Sequence, residues 1–345
     1  MRANLFIRGL LGFVASASLF AGPAGAQSPA DFYKGQTITF LISSGAGGGY
    51  DTLARTLAQY LPKHIPGSPA VVVKNMPGAG GIVAANHLYS VAAKDGTVIG
   101  GVQSNVPFEP LFGASGAAFD PVKFNWLGTP STETALLTVS DTAPVNTWQD
   151  AQKQEVIVGS SGVNSTPSFY GRLLNEVLGL KLKIIVGYES QSTAFLAMER
   201  GEIHGYPSVF YSALMSTKPT WIKEKKIKLL VQMGVGKEPD LPDVPYILDL
   251  ITKPEDKQLA EAAFAALAVG RPYLMPPGVP EDRVAAMRKA FADTFKDPEF
   301  LAEAQTRKLG INSPRSGQEL QELIDRVYKT TPPALVERLK KLQAG

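Results

Sequence analysis

The chain has 345 residues, of which 44% are hydrophobic and 19% charged, and its formal net charge is +3. This balance is typical of globular proteins and excludes collagen-like, coiled-coil and disordered classes. The nearly neutral charge gives no electrostatic reason to expect nucleic acid as a partner. The sequence contains no cysteine, which excludes disulfides, thiolate catalysis and cysteine-ligated zinc.

The N-terminal segment has the pattern of a secretory signal peptide. Arg2 and Arg8 form a positively charged region before an apolar stretch over residues 9–22, and Ala24-Gly25-Ala26 forms a small-residue cleavage site. A retained membrane anchor is the alternative, but the apolar stretch is shorter than the ~20 residues that a membrane span needs. We therefore predict cleavage after Ala26 and a periplasmic mature protein with a net charge of +1.

Short apolar strands alternate with amphipathic helices along the remaining chain. Apolar and β-branched runs predict strands at residues 37–43, 70–74, 97–103, 155–159, 183–186 and 227–233. Apolar residues at helical spacing predict helices at residues 52–61, 82–92, 168–178, 193–200, 261–268, 283–297 and 317–328. This alternation is typical of an α/β fold with parallel sheets.

Two irregular segments indicate where the chain changes domain. One is rich in Pro, Gly and Phe and follows Gln103, and the other is rich in Pro and Asp and follows Met233. We therefore predict that residues 27–103 and 234–345 form a discontinuous domain 1 and that residues 104–233 form domain 2. Two strand crossings would then make a hinge with a cleft between the lobes. A single continuous sheet with a long insertion is the alternative.

Three loops between a predicted strand and a predicted helix are rich in Gly and Ser, at residues 43–49, 77–81 and 160–166. At each junction a helix begins with about four backbone N–H groups that lack an intrahelical partner. The helix dipole adds partial positive charge at the same place, which favours a bound anion. None of the loops contains Lys or Arg, and the first matches neither a P-loop nor a dinucleotide-binding fingerprint. The loops therefore favour a carboxylate, gripped between two domains, over a phosphate.

The titratable residues give little support for catalysis or for a metal ion. His64, His87 and His204 do not have metal-binding spacing, and the sequence has no G-x-S-x-G nucleophile motif. Asp51 follows the first glycine loop, and its position four residues before Arg55 predicts a structural ion pair. We expect no catalytic residue, no metal and no cofactor.

Several motifs spread over the mature chain carry a family resemblance. In chain order they are Gly47-Gly48-Gly49 with Asp51 and Leu53-Ala54-Arg55, Asn75 with Pro77-Gly78-Ala79-Gly80-Gly81, Leu241-Pro242-Asp243-Val244-Pro245, and Pro276-Pro277-Gly278-Val279-Pro280. Together they resemble the Bug/TctC family of periplasmic solute-binding receptors of tripartite tricarboxylate transporters. The resemblance implies a Venus-flytrap fold with two α/β lobes, a carboxylate ligand in the cleft, and no catalysis.

The loops and the resemblance together give a set of expected ligand contacts. In domain 1 these are Ser44, Gly45, Ala46, Gly48, Gly49, Tyr50, Ala79, Gly80, Gly81, Gln103 and Ser104. In domain 2 they are Ser160, Ser161, Ser165, Thr166, Tyr188 and Ser208. Ser208 stands where many members of the family have an aspartate suited to a ligand amine, which argues against an amino-acid ligand.

The expected function is capture of a di-, tri- or aromatic carboxylic acid and its delivery to membrane permease subunits, by a monomer. A sensor module that presents its ligand to a membrane kinase is one alternative. A periplasmic enzyme acting on a small organic acid is another, although the cleft loops supply only Asp51 and Glu189 as titratable groups. We also expect residues 246–268 to add a helix to domain 1, starting near Pro254.

Overall fold

The computed structural model describes residues 27–344, which form two β-sheets flanked by helices. The predicted signal peptide, residues 1–26, lies outside the described residues. The strands are β1 (Thr37–Ile42), β2 (Ala70–Asn75), β3 (Val98–Gly101), β4 (Asn125–Thr129), β5 (Ala135–Ser140), β6 (Val156–Ser160), β7 (Leu182–Val186), β8 (Gly205–Phe210), β9 (Ile227–Met233), β10 (Tyr273–Met275) and β11 (Arg315–Ser316).

The α-helices alternate with the strands over most of the chain. They are α1 (Pro29–Tyr33), α2 (Gly49–Tyr60), α3 (Ile82–Ser90), α4 (Trp148–Lys153), α5 (Thr166–Leu178), α6 (Gln191–Glu199), α7 (Tyr211–Thr217), α8 (Ile247–Leu250), α9 (Pro254–Ala263), α10 (Ala265–Val269), α11 (Glu281–Thr294), α12 (Pro298–Thr306), α13 (Gly317–Thr330) and α14 (Pro333–Ala344). Short 3-10 turns occur at Leu61–His64, Ala79–Gly81, Val106–Phe108 and Pro121–Lys123. Within residues 27–344, no helix is both long and apolar enough to cross a membrane.

The first sheet has the strand order β11-β4-β10-β3-β1-β2. Strand β1 runs parallel to β2 and β3, and β10 runs antiparallel to β3 and β4. The Phe40 ring of β1 packs at 5.3 Å from Tyr273 of β10 and at 6.5 Å from Phe291 of α11, centroid to centroid. These rings belong to an apolar cluster that also contains Leu53 and Leu57, so β1 and α2 share one core. The carboxyl end of β1 and the start of α2 are thereby held in place.

The second sheet has the strand order β7-β6-β8-β5-β9. Strand β6 is parallel to β7 and β8, whereas β5 is antiparallel to β8 and β9. Helix α5 buries Phe169, Leu173 and Leu174 along one face. The two predicted α/β lobes are confirmed, but the predicted parallel sheets are wrong in detail, because each sheet is mixed.

Sheet membership shows where the chain passes between the lobes. Strand β4 belongs to the first sheet and β5 to the second, so the first passage lies between Thr129 and Ala135 and not near Gln103 as predicted. The return passage was predicted near Met233, where β9 ends, but the chain rejoins the first sheet only at β10. The two passages run side by side, since the Arg271 backbone N–H donates to Thr129 Oγ1 over 3.1 Å.

The C-terminal helix makes a third connection between the lobes. Helix α13 packs on β4 of the first sheet, whereas α14 packs on α5 and α9. Arg338 of α14 lies 2.6 Å from both Glu176 of α5 and Asp256 of α9. The predicted extra helix does begin at Pro254, but it packs on α5 and α14 of the second lobe, so its assignment to domain 1 was wrong.

Candidate functional site

The candidate site is a cleft between the two lobes, with about 540 Å³ of space that protein atoms do not fill, counting the part open to solvent. The first lobe lines it with Ser44, Gly48, Gly49, Tyr50, Gln103 and Arg271. The second lobe lines it with Ser161, Thr166, Pro167, Glu189, Ser190, Gln191, Tyr206, Ser208, Phe210 and Ala213. Concave sites between two domains are common places for small-molecule binding.

Helix α2 presents its N-terminus to this cleft from the first lobe. Its N-cap is Gly48, which has no side chain to cap the first backbone N–H groups. Gly48, Gly49 and Tyr50 all line the cleft. The unpaired N–H groups and the positive end of the helix dipole therefore lie at the cleft wall, as the sequence predicted.

Asp51 fixes the loop that precedes this helix. Its carboxylate accepts from the Gly47 N–H, from Arg55 Nε and from Asn75 Nδ2, each over 2.9 Å. Asn75 also donates to the Ser44 carbonyl oxygen over 2.9 Å, which ties β2 to the same loop. Burial alone would raise the pKa of Asp51, but these hydrogen bonds outweigh it and lower the pKa below its ordinary value. The predicted ion pair with Arg55 is confirmed.

Helix α5 presents its N-terminus from the second lobe. Its N-cap, Ser165, makes no side-chain capping bond, because the Ser165 hydroxyl instead lies 2.7 Å from Ser160 Oγ. Ser160 Oγ is also 2.6 Å from Ser168 Oγ, so the buried hydroxyls hold the loop together. Thr166 lines the cleft, and its Oγ1 donates to Asn105 Oδ1 of the first lobe over 2.5 Å.

The second glycine loop lies beside the main cleft. Pro77, Gly78 and Gly80 line a neighbouring pocket of about 410 Å³, which shares Gln103, Ser161 and Glu189 with the cleft. Helix α3 begins at Ile82 with Gly81 as its N-cap, and neither residue lines the main cleft. The prediction that all three helix N-termini meet in one site therefore holds for α2 and α5, but not for α3.

Several predicted contact residues do not line the main cleft, and each has another position. Gly45 donates its N–H to the Glu189 carbonyl oxygen over 3.2 Å, and Ala46 is exposed. Ser104 donates its N–H to the Tyr50 hydroxyl over 3.0 Å. Tyr188 packs against Gly159. The remaining predicted residues outside the cleft lining are Ala79, Gly80, Gly81, Ser160 and Ser165.

Arg271 was not among the predicted contacts, but it is buried at the cleft wall. Its Nη1 donates to the Gly49 carbonyl oxygen over 3.1 Å and its Nη2 to Ser212 Oγ over 2.7 Å. Its Nε lies 3.0 Å from Glu133 Oε1, and both side chains are at most 2% exposed. Burial raises the pKa of the Glu133 carboxyl, and Arg271 and hydrogen bonds from Ser212 and Ser131 oppose that rise. The only sequence feature that could have pointed to Arg271 is its place between Gly270 and Pro272, far from any glycine loop.

The cleft has an aromatic wall that the sequence analysis identified only at Tyr50. The Tyr50 and Phe210 rings lie 6.0 Å apart, and Tyr206 lines the same wall. Burial raises the pKa of Tyr50 to about 12, so its hydroxyl stays protonated and accepts from the Ser104 N–H. Strand β8 supplies both Tyr206 and Phe210, but no period-2 pattern marks it as a strand in the sequence.

Three polar groups at the cleft lack hydrogen-bond partners among the described residues. They are Ser44 Oγ, Ser208 Oγ and Gln191 Nε2, and all three residues line the cleft. A buried polar group without a partner costs about 1–3 kcal/mol, so such groups are uncommon unless they meet a ligand or water. Ser44 and Ser208 were predicted contacts, and Gln191 was not.

The lobes touch at the rim of the cleft. Ser192 Oγ of the second lobe donates to the Gly47 carbonyl oxygen over 2.5 Å. On another side, Asn105 Nδ2 donates to the Asn164 carbonyl oxygen over 2.7 Å. These contacts and the Gly45–Glu189 bond join first-lobe loops to second-lobe loops. The two lobes are therefore in direct contact around the cleft.

The part of the chain that the structure describes contains no group of three or more His, Asp or Glu residues arranged to hold a metal ion. His64 Nε2 lies 2.7 Å from Asp297 Oδ2, and His204 Nδ1 accepts from the Ile157 N–H over 3.0 Å. Both histidines thus have local structural partners away from the cleft.

Two α/β lobes with a cleft between them define the class of two-lobed binding proteins. The family model described as "Tripartite tricarboxylate transporter family receptor" matches residues 53–339, so the chain belongs to this family. The resemblance drawn from the glycine-loop motifs is thereby confirmed.

Individual relatives agree with this assignment. A Cupriavidus necator protein described as "UPF0065 protein in gbd 5'region" is 28% identical over 255 residues, covering 70% of this chain and 72% of that protein. The periplasmic binding protein BugD has a TM-score of 0.65 at 20% identity, with 90% of this chain and 98% of that chain covered.

Two further solved structures share the fold. An R. palustris protein solved with adipate has a TM-score of 0.69 at 18% identity, covering 89% of this chain and 97% of that chain. MatC from Rhodopseudomonas palustris, solved with bound malate, has a TM-score of 0.67 at 20% identity, covering 89% and 99%. These likenesses establish the two-lobed fold.

Proposed function

We propose that this protein is a periplasmic receptor that captures a small carboxylate between its two lobes and delivers it to a membrane permease. One observation carries the proposal. The uncapped N-termini of α2 and α5 reach the same cleft from opposite lobes, beside the unpartnered side chains of Ser44, Ser208 and Gln191. Both helices offer N–H donors and partial positive charge to an anion, and each contact contributes about 0.3–2 kcal/mol.

The family relationship supports the same function. Two proteins that share the fold have been solved with adipate and with malate, which are both carboxylates. Binding to either lobe alone would use only part of the donors, so the ligand favours the closed form over the open form. A receptor signals its loaded state through such differential binding.

A thermal-shift screen of the chain from Gln27 onward tests the ligand class. We expect carboxylates to raise the melting temperature and their uncharged amides to leave it unchanged, because only the carboxylate complements the helix N-termini. At 100 times the dissociation constant, a ligand stabilises the fold by about 2.7 kcal/mol. Stabilisation by amides or sugars only would contradict the proposal.

The variant Gly48→Val tests the position of the site. Gly48 has an ordinary backbone conformation, and a Cβ there would meet only Gln191 N and Ser190 Cβ at 3.8 Å. We expect the valine side chain to fill the cleft and to abolish binding while the melting temperature of the free protein stays nearly constant. Gly236→Val is the matched control, because a Cβ at Gly236 meets nothing within 4 Å.

Delivery to a permease is tested separately, by uptake of a labelled ligand from the screen. Cells that lack this gene should lose uptake, and the wild-type gene but not the Gly48→Val variant should restore it. Binding in vitro without any effect on uptake would support a sensor role instead.

A further inference from the structure

We infer that the ligand carries a single carboxylate on an aromatic ring. This inference rests on the proposed function and narrows it. Its basis is the juxtaposition, within one cleft, of helix N-termini on two sides, an aromatic wall, and a guanidinium whose charge is balanced by a buried carboxylate.

The aromatic wall is suited to a flat apolar body. Tyr50 and Phe210 meet with their ring planes at 53°, and Tyr206, Pro167 and Ala213 complete the apolar lining. Tyr206 and Phe210 are each 5% exposed, so their rings are held by packing. Aromatic pairs in tilted or edge-to-face geometry contribute about 0.5–1.5 kcal/mol beyond the burial of apolar area. A ligand ring inserted beside this wall would gain such contacts from two or three rings at once.

A second carboxylate would lack a cationic partner. Among the described residues that line the cleft, Arg271 is the only Lys or Arg. Its guanidinium is bound by Gly49, Ser212 and Glu133, and its centre lies 5.7 Å and 5.8 Å from the Tyr50 and Phe210 ring centroids. The charge of Glu133 balances that of Arg271. The Arg271–Glu133 pair as a whole therefore offers no net positive charge to a second carboxylate.

The acidic side chain of Glu189, beside the first glycine loop, disfavours a second negative charge in the cleft. Glu189 is exposed, and it lines both the main cleft and the neighbouring pocket of the second glycine loop. A second carboxylate near Glu189 would be repelled by its charge, and one against the neutral aromatic wall would have no charged partner. Neither environment compensates the desolvation of a charged group.

The experiment compares matched acids by calorimetry. The set is benzoate, cyclohexanecarboxylate, terephthalate and adipate. Comparing benzoate with cyclohexanecarboxylate tests the aromatic character of the ring, and comparing it with terephthalate and adipate tests a second charge. We expect benzoate to bind at least tenfold more tightly than each of the other three. A tenfold preference corresponds to about 1.4 kcal/mol.

Each other outcome has a distinct meaning. If adipate or terephthalate binds more tightly than benzoate, the single-carboxylate inference is overturned while the proposed receptor function stands. If cyclohexanecarboxylate binds as tightly as benzoate, the aromatic part is overturned. If none of these acids nor any other carboxylate in the screen binds, the proposed function itself fails.

Two variants test the residues that carry the inference. Phe210→Leu should lower benzoate affinity about tenfold and reduce its advantage over cyclohexanecarboxylate. Phe264→Leu is the matched control, since Phe264 is 2% exposed in the second lobe but does not line the cleft. Glu189→Gln should raise the ratio of terephthalate to benzoate affinity, which loss of packing alone would not do. An unchanged ratio in Glu189→Gln would contradict the role of its charge.

Discussion

Gly80 and Asn164 touch backbone to backbone across the two lobes. A Cβ at Gly80 would lie 2.6 Å from the Asn164 carbonyl carbon, which is closer than real Cβ contacts permit. Gly80 also has φ +66°, in the left-handed region that favours glycine. The second glycine loop can therefore meet the serine loop of the other lobe only because Gly80 lacks a side chain. Gly80 belongs to the contact surface between the lobes more than to the cleft lining.

The first prediction follows from this contact. Gly80→Ala should prevent full closure and weaken ligand binding at least tenfold, because the new methyl group collides with the Asn164 backbone. Gly179→Ala is a matched control: Gly179 also has φ +66°, but a Cβ there meets nothing within 4 Å. Both variants should lose about 1 kcal/mol of stability through backbone strain, measured by urea unfolding. Equal affinities of the two variants by calorimetry would contradict a closing role for Gly80.

The second prediction concerns Glu109, which is fully buried where the lobes meet. Its carboxyl accepts from Asn105 Nδ2 and from Gln343 Nε2 of α14, and burial raises its pKa well above the ordinary value. These two donors and the positive charge of Arg172 oppose that rise. A raised pKa means that the folded protein keeps a proton that the unfolded chain has released.

Stability should therefore fall as the pH rises above about 4.5 and level off once Glu109 is ionised in the folded state. The slope is about 1.4 kcal/mol per pH unit for one proton. Thermal unfolding from pH 4 to pH 9 measures it, and Glu109→Gln should flatten the profile. Glu322→Gln, at an exposed position on α13, should leave it unchanged. A Glu109→Gln profile as steep as the wild type would assign the slope to other groups.

The third prediction concerns the buried pair of Arg271 and Glu133. Removing one partner leaves the other charge buried without compensation, which costs about 3–5 kcal/mol. We expect Arg271→Met and Glu133→Leu each to lose stability of this order in urea unfolding. The double variant should lose less than the sum of the two, because no charge is stranded. Additive losses in the double-mutant cycle would show that the two charges do not interact.

The fourth prediction concerns Asp51, which holds the first glycine loop. Asp51→Asn should weaken ligand binding several-fold and lower stability by about 1–3 kcal/mol, because the charged hydrogen bonds to Gly47 and Arg55 are lost. Asp150→Asn removes a similar carboxylate on α4, away from the cleft, which accepts from the N–H groups of Asn146 and Thr147 just before that helix. It should lower stability and leave calorimetric affinity intact. Loss of affinity in both variants would indicate a global effect.

Local signals in the sequence were enough to locate the loops that begin α2 and α5. Glycine and serine runs between a strand and a helix depend on neighbouring residues only, so both loops could be placed before helices without knowledge of the fold. The helices were predicted to begin at Thr52 and Ser168 and begin at Gly49 and Thr166. The Asp51–Arg55 pair was predictable for the same reason, since helical spacing fixes it.

Features that depend on pairing between distant segments could not be predicted in this way. Strand β4 joins the first sheet through antiparallel pairing with β10, about 150 residues away in the chain (Met275 pairs with Asn125). Arg271 reaches the cleft through that same strand arrangement. Phe210 and Tyr206 lie on β8, which is buried on both faces and so lacks an alternating pattern. The aromatic wall is therefore a property of the tertiary structure.

Helix α14 has a practical consequence for experiments on this protein. Arg172 of α5 donates to the Leu342 and Gln343 carbonyl oxygens at the end of α14, while Gln343 Nε2 donates to Glu109 of the first lobe. The last turn of α14 is thus hydrogen-bonded to both lobes. We expect a purification tag or fluorescent fusion joined after Gly345 to disturb these hydrogen bonds and so to shift the equilibrium between open and closed forms. Labels for measuring changes in lobe arrangement are better placed before Gln27. We expect a fusion after Gly345 to weaken ligand affinity more than the same fusion placed before Gln27.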